Sequence, residues 1–179
     1  MNQMARDIKF LPTYYNGIEF RSRLEARWSV FFDCMKISYR YEYLGFDLDD
    51  IWYVPDYYIP NQRIWIEIKP VRPSEEEQEK CKRLAKKTKV STYCFWDIPR
   101  KSNESDDGPA YAWKLTGGFN RDSSHNFIQC HECGAIRIDL CEDSDTYCHR
   151  CGAKADDESP QLKMAREVAK GVRFDDFRR

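Results

Sequence analysis

Two carboxylates and a lysine lie close together in one short stretch, Trp52 to Pro70, with the sequence WYVPDYYIPNQRIWIEIKP. Aromatic and β-branched residues dominate Trp52–Ile59 and Arg63–Ile68, so both read as β runs. Pro60, Asn61 and Gln62 between them are turn residues. With Asn61 and Gln62 at the loop centre, Asp56 falls directly across from Glu67. Both then lie on the face away from Ile64, Ile66 and Ile68, and Lys69 shares that face. Cβ atoms so opposed stand about 4.5–5.5 Å apart, and like charges there repel. The pair calls for a shared proton or a cation. The chemistry this suggests is a divalent-cation site with an ammonium beside it. A solvated polar strand face with an ion pair fits the same pattern, and a bulge at the turn would slip the register by one residue.

A second set of residues has its own spacing. Cys130-His-Glu-Cys133-Gly-Ala and Cys148-His-Arg-Cys151-Gly-Ala repeat each other, giving C-x2-C-x14-C-x2-C. In each half two thiolates can curl around one cation, with the glycine permitting the tight turn. Four sulfurs make the closed tetrahedral set of a structural zinc site, a zinc ribbon with Ile136-Arg137-Ile138 as a short strand. Two disulfides are the competing reading, against which the paired spacing and a reducing compartment argue. His131 and His149 are read as surface or phosphate-contacting residues and Cys141 as a spare in the ribbon loop. Cys34, Cys81 and Cys94 are read as small core residues.

The elements that must hold these groups can be read around them. Asn16-Gly17 marks a turn between Tyr14-Tyr15 and Ile18–Phe20. A helix from Ser22 to about Met35 carries Leu24, Trp28, Phe32 and Met35 on one stripe. Ser22-Arg23-Leu24-Glu25 fits a capping box in which Glu25 reaches back to the Ser22 N–H. Ser38–Tyr43 alternates like a strand. Ser74 can cap a helix to about Lys87 that opens with glutamates and closes with lysines. That order suits the helix dipole, and its basic end could equally face a phosphate backbone. Val90–Trp96 reads as a buried strand and Tyr111–Leu115 as an edge strand. Leu162, Ala165, Val168 and Ala169 give a last helix, from Ser159-Pro160 to about Lys170, a modest apolar face, with Gly171 as its C-cap. The tail VRFDDFRR could stack on bases or pack on the body. The boundaries that follow are 1–118 for a main domain, 119–126 for a linker, 127–156 for the ribbon and 157–179 for the helix and tail, with few core residues shared between main domain and ribbon.

The totals bound the rest. At 179 residues the chain holds one domain, or a domain and a small module. A net charge of −1 leaves any nucleic-acid surface to local patches. No stretch approaches the roughly 20 apolar residues of a membrane span, and no signal peptide is evident. The expectation is a soluble, intracellular protein with no membrane partner.

Helix, three strands, helix and strand, with these residues in place, resemble the PD-(D/E)xK nuclease superfamily over roughly residues 18–97. Pro55-Asp56 matches the PD element and Glu67-Ile68-Lys69 the ExK element. Glu25 matches the extra acid of resolvase-like members, and FRSRLEARW before the hairpin is similar to small phage-type nucleases. The resemblance implies an α/β (α+β) fold: a restriction-endonuclease-like αβββαβ core with a mixed sheet, followed by the zinc ribbon and a terminal helix. It implies that Asp56, Glu67 and the Ile68 carbonyl hold Mg²⁺ or Mn²⁺, that Glu25 joins them, and that Lys69 orients the water or stabilises the transition state. Glu25, Asp56, Glu67 and Lys69 are the catalytic set on this reading. The implied activity is DNA endonuclease, with RNA cleavage or a non-catalytic adaptor on the same fold as alternatives. The ribbon would add grip on DNA, a homodimer is left open, and the location would be intracellular, cytoplasmic or nucleoid-associated, a virus-encoded protein in a host cell being one setting.

Overall fold

The computed structural model describes residues 11–100, 110–113, 125–140 and 146–174. Cys141, residues 117–124 and the tail from 175 lie outside them. Among the described residues the fold is α+β, with a mixed sheet and three helices. Two short strands, β1 (Thr13–Tyr15) and β2 (Ile18–Phe20), form a hairpin. Asn16 and Gly17 take left-handed backbone there, as the primed hairpin turn requires. The helix α1 (Arg23–Cys34) follows, with Ser22 as N-cap.

The main sheet takes β3 (Arg40–Tyr41), β6 (Tyr57–Ile59), β7 (Ile64–Lys69), β8 (Ser91–Trp96) and β9 (Ala110–Trp113) in spatial order 3-6-7-8-9. The β7–β8 pair is parallel, crossed over by α2 (Glu75–Thr88), and the other pairs are antiparallel. Two further strands, β4 (Phe46–Asp47) and β5 (Trp52–Tyr53), pair with each other outside this sheet.

Two expected strands are shorter than their composition suggests. Trp52–Ile59 is not one run: its first two residues leave for β4, and pairing with β7 starts only at Tyr57. Pro55 has no N–H to donate to a ladder, so the pairing does not run on through it. Ser38–Tyr43 keeps only Arg40 and Tyr41 in the sheet. Glu42 turns left-handed and donates its N–H to the Asp56 carbonyl at 2.9 Å. Tyr43 thereby leaves the alternation, stacking on Tyr58 with Arg40 over its ring.

Alternation along β7 decides the layers. Ile64, Ile66 and Ile68 join Tyr57, Ile59, Tyr93 and Phe95 against Trp28, Phe31 and Phe32 of α1. The opposite face carries Cys94 and Trp96 against Cys81 and Ala85 of α2. With a helix on each side, every residue of β7 but Lys69 is buried.

The C-terminal part has a small cluster of its own, Ile128, Cys130, Cys148 and Ala155, and also contributes to the main core. The strands β10 (His125–Cys130), β11 (Ile136–Leu140) and β12 (Ala155–Asp156) form a small antiparallel sheet. From it Phe127 and Ile138 enter the main core, and α3 (Pro160–Gly171) adds Leu162, Ala165 and Ala169. Phe127 stacks on Phe95 with ring centroids 5.4 Å apart and lies edge-on to Phe31. The start of α3 is tied as well: Gln161 donates to the Cys34 carbonyl. Val168, expected on the apolar face of α3, is exposed, and Gly171 closes the helix as its last residue, with Val172 as cap. Phe174 of the tail lies edge-on to Tyr15. No described helix is long and apolar enough to cross a membrane.

Candidate functional site

The β6–β7 ladder pairs Ile59 with Ile64 and Tyr57 with Ile66, the register read from the sequence. The loop that sets it is Pro60–Arg63. Arg63 sits left-handed in the turn instead of starting the strand. One step beyond the ladder, the Asp56 N–H approaches Glu67 Oε2 at 3.4 Å, and Asp56 Oδ2 accepts the Ile68 N–H at 2.7 Å. Asp56 is 6 % exposed and Glu67 4 %. The two carboxylates therefore lie in a covered layer, not on a solvated strand face.

Helix α1 brings the third carboxylate. The Tyr57 hydroxyl donates to the Glu25 carbonyl at 2.6 Å and contacts the Ser29 hydroxyl, pinning the first turn of α1 to β6. The Glu25 N–H donates to the Ser22 hydroxyl, as a cap should. The return contact differs from the expected box: Glu25 Oε1 accepts from the Ser22 hydroxyl at 2.6 Å, not from its N–H. Its Oε2 accepts from the Tyr41 hydroxyl, which in turn accepts the Arg21 N–H. Glu25 thus serves the cap and faces the carboxylates at once.

Lys69 Nζ lies 2.8 Å from Glu67 Oε1 and 3.5 Å from Glu77 Oε1. Burial opposes its charge, but Glu67, Asp56 and Glu77 outweigh that and raise its pKa, so it stays an ammonium. Asp56 is pushed the other way from a free carboxylate. Burial, then the charges of Glu67 and Glu25, raise its pKa well above the usual range, against the pull of the Ile68 N–H and Lys69. Arg21 pairs with Glu42 and stands 3.8 Å from Asp56 Oδ1. Arg21, Glu25, Asp56, Glu67, Lys69 and Glu77 line one pocket of about 770 Å³, together with Trp52, Tyr53 and Val54.

Arg21, Tyr41, Tyr53 and Glu77 were not legible as site residues. Glu77 is the N3 residue of the α2 capping box; in the sequence it read only as one of the opening glutamates that suit the helix dipole. Tyr41 read as one aromatic in an alternating strand. A single arginine or tyrosine carries no spacing signal.

The donor set suits a divalent cation in kind: carboxylate oxygens around a carboxyl whose charge its neighbours disfavour. The geometry is less gathered. Among the described residues, only the four cysteines bring three or more potential ligand atoms within 4.8 Å of one another. Each carboxylate is instead held by a protein donor: Asp56 by Ile68, Glu67 by Lys69, Glu25 by Ser22 and Tyr41.

Cys130, Cys133, Cys148 and Cys151 do converge. Cys130 and Cys151 sulfurs are 3.4 Å apart and those of Cys133 and Cys148 3.6 Å. A disulfide needs about 2.05 Å. A tetrahedron with metal–sulfur bonds of about 2.3 Å has edges of about 3.8 Å, close to what is seen. Each knuckle is locked by a carbonyl: Cys130 accepts from Gly134 and Cys148 from Gly152, both glycines left-handed. The N–H groups of Arg150 and Cys151 lower the Cys148 thiol to about 6. Cys151 receives the Ala153 N–H, yet hydrogen bonds with Cys130 and Cys133 push it up to about 12. His131 stays outside, its Nε2 2.9 Å from Asp156.

Comparison of the chain with protein-family models, with characterised proteins and with solved structures finds no match.

Proposed function

We propose that the chain is a metal-dependent endonuclease of PD-(D/E)xK type that hydrolyses phosphodiester bonds in DNA, with a zinc ion in the four-cysteine cluster. One observation carries the reading: Asp56 and Glu67 meet in a buried register beside a charged Lys69, in a pocket that Glu25 also enters. The order α1, three sheet strands, α2, β8 around that pocket supports it.

Asp56 and Glu67, with the Ile68 carbonyl, would hold Mg²⁺ or Mn²⁺, and Glu25 would add a ligand or hold a water. The cation, when bound, supplies positive charge against the phosphate and acidifies a water. The remaining work falls to the chain. Lys69 stays protonated, so it acts as a fixed cation facing the charge that builds on the phosphoryl oxygens, and not as a base. Tyr41 and Ser22 hold Glu25 in one orientation. Arg21, at the rim, suits a flanking phosphate. The zinc site does no chemistry; it fixes the small sheet whose Phe127 closes the core over α1.

The test uses supercoiled, branched and single-stranded DNA with Mg²⁺ or Mn²⁺. Cleavage by the parent is expected, with at least a hundredfold loss in Asp56→Ala and in Lys69→Ala, about 2.7 kcal/mol of transition-state stabilisation. Equal activity in all three proteins would sink the assignment. DNA binding without cleavage by the parent would leave the adaptor reading.

A further inference from the structure

Trp52 has the largest exposed fraction of any large hydrophobic residue among those described, at 69 %, and it stands in the wall of the carboxylate pocket. An indole this exposed has apolar area to bury and a flat face to offer. It is not a loose side chain. The β4–β5 pairing sets it opposite Asp47. Its ring lies over the Gly45 backbone, where an added Cβ would come within 2.3 Å of Cζ2. Glycine therefore has a positional reason at 45: any side chain would displace the ring. The next residue, Tyr53, sends its hydroxyl to Cys81, so this short ribbon anchors one aromatic inside and presents the other at the rim.

We propose that Trp52 is a stacking platform for an unpaired nucleobase, which makes the preferred substrate a strand with an unstacked nucleotide beside the scissile phosphate. This rests on the phosphodiesterase reading of the pocket. In a continuous duplex both faces of a base are covered by its neighbours, and a rim indole cannot reach them without extrusion. In a single strand, flap or junction a base face is free. An aromatic face next to backbone-binding cations is how single strands are held without sequence preference, and Arg21 and Lys69 supply cations in the same pocket. Four carboxylates, Glu25, Asp56, Glu67 and Glu77, also line it, so phosphate enters only once a divalent cation has offset them.

The test reads binding, not cleavage. A short single-stranded DNA with one 2-aminopurine is titrated with the protein in calcium, and a fully paired duplex of the same sequence serves as comparison. The parent and Trp52→Phe should quench the 2-aminopurine and bind the single strand more tightly than the duplex. Trp52→Ala and Trp52→Leu should lose the quench and bind the single strand about five- to hundredfold more weakly. They should leave duplex binding and the melting temperature unchanged, since the ring is exposed. Single-strand binding by Trp52→Ala or Trp52→Leu as tight as the parent's, or no preference for the single strand in the parent, would overturn the proposal. A Trp52-dependent quench in a protein that cuts no DNA in Mg²⁺ would retire the nuclease reading and leave the stacking platform. Cleavage without a Trp52-dependent quench would do the reverse.

Discussion

The four cysteines and the three carboxylates both gather groups that repel one another once ionised, but they are built on different scales. Each cysteine pair sits within one turn, and that turn is closed by its own backbone hydrogen bond. Two such turns need only be brought together by the β10–β12 pairing and the Tyr147–Lys154 bridge. The sulfurs then converge. The carboxylates come from α1, from the entry to β6 and from β7. Their distances depend on a hairpin register, a helix docked through Tyr57, and a covering helix α2. Each is satisfied by a protein donor instead of converging. A site made of local turns is preformed. The groups gathered at the junction of distant elements are each held by a protein donor, and on the proposed reading a cation would have to compete for them, which would make that site adjustable.

The largest test of this contrast is Cys130→Ser. Zinc content should fall from about one per chain, and the loss should destabilise the whole protein, because structural zinc binding is worth about 10 kcal/mol or more and Phe127 and Ile138 belong to the main core. One broad loss of structure by circular dichroism is expected. A two-step melt with the α1–β7 part untouched would restore two separate cores. Next is Phe127→Ala, which leaves the cysteines alone and removes the ring between Phe95 and α1. Urea unfolding should show a loss of about 3–5 kcal/mol, whereas a loss confined to the small sheet would show as a change of slope.

Asp56→Asn probes the adjustable site. The folded-state pKa of Asp56 is raised, so its contribution to stability is present below the ordinary aspartate range and lost as pH rises through the raised value. In divalent-free buffer at neutral pH the variant should therefore be the more stable, with the gap closing as pH falls. Added Mg²⁺ should raise the melting temperature of the parent, more so at higher pH, and leave the variant unmoved. A parent indifferent to Mg²⁺ would remove the cation from the pocket. The smallest effect belongs to Tyr41→Phe, which frees one oxygen of Glu25. Cleavage should fall roughly two- to tenfold, about 0.5–1.5 kcal/mol for one hydrogen bond, with stability near that of the parent. A hundredfold loss would make Tyr41 more than a positioning residue.

Much of the fold was legible because its signals are local. The Asn16-Gly17 hairpin, the Ser22 and Ser74 caps and the alternating isoleucines each depend on neighbours within a few residues. So did the cysteine knuckles. The β6–β7 register could be read because a short turn and a period of two leave little choice. The break at Glu42 could not: it follows from where the Asp56 carbonyl finds a donor. Pro55 is a local limit on the ladder, but only the fold shows β4 capturing Trp52 and Tyr53.

By itself, then, the sequence determined which residues could carry charge or metal, the helix boundaries and the pairing of the central hairpin. Only the tertiary structure decided that Glu67 and Asp56 are buried, because burial of that face depends on α2 packing over it. Only the tertiary structure joined Phe127, Leu162 and Ala165 to the core of α1, since nothing local in a polar stretch between 98 and 125 reports what the chain returns to. And only it placed Trp52 and Glu77 at the mouth of the same pocket, for a contact between distant elements leaves no mark in the spacing of either one.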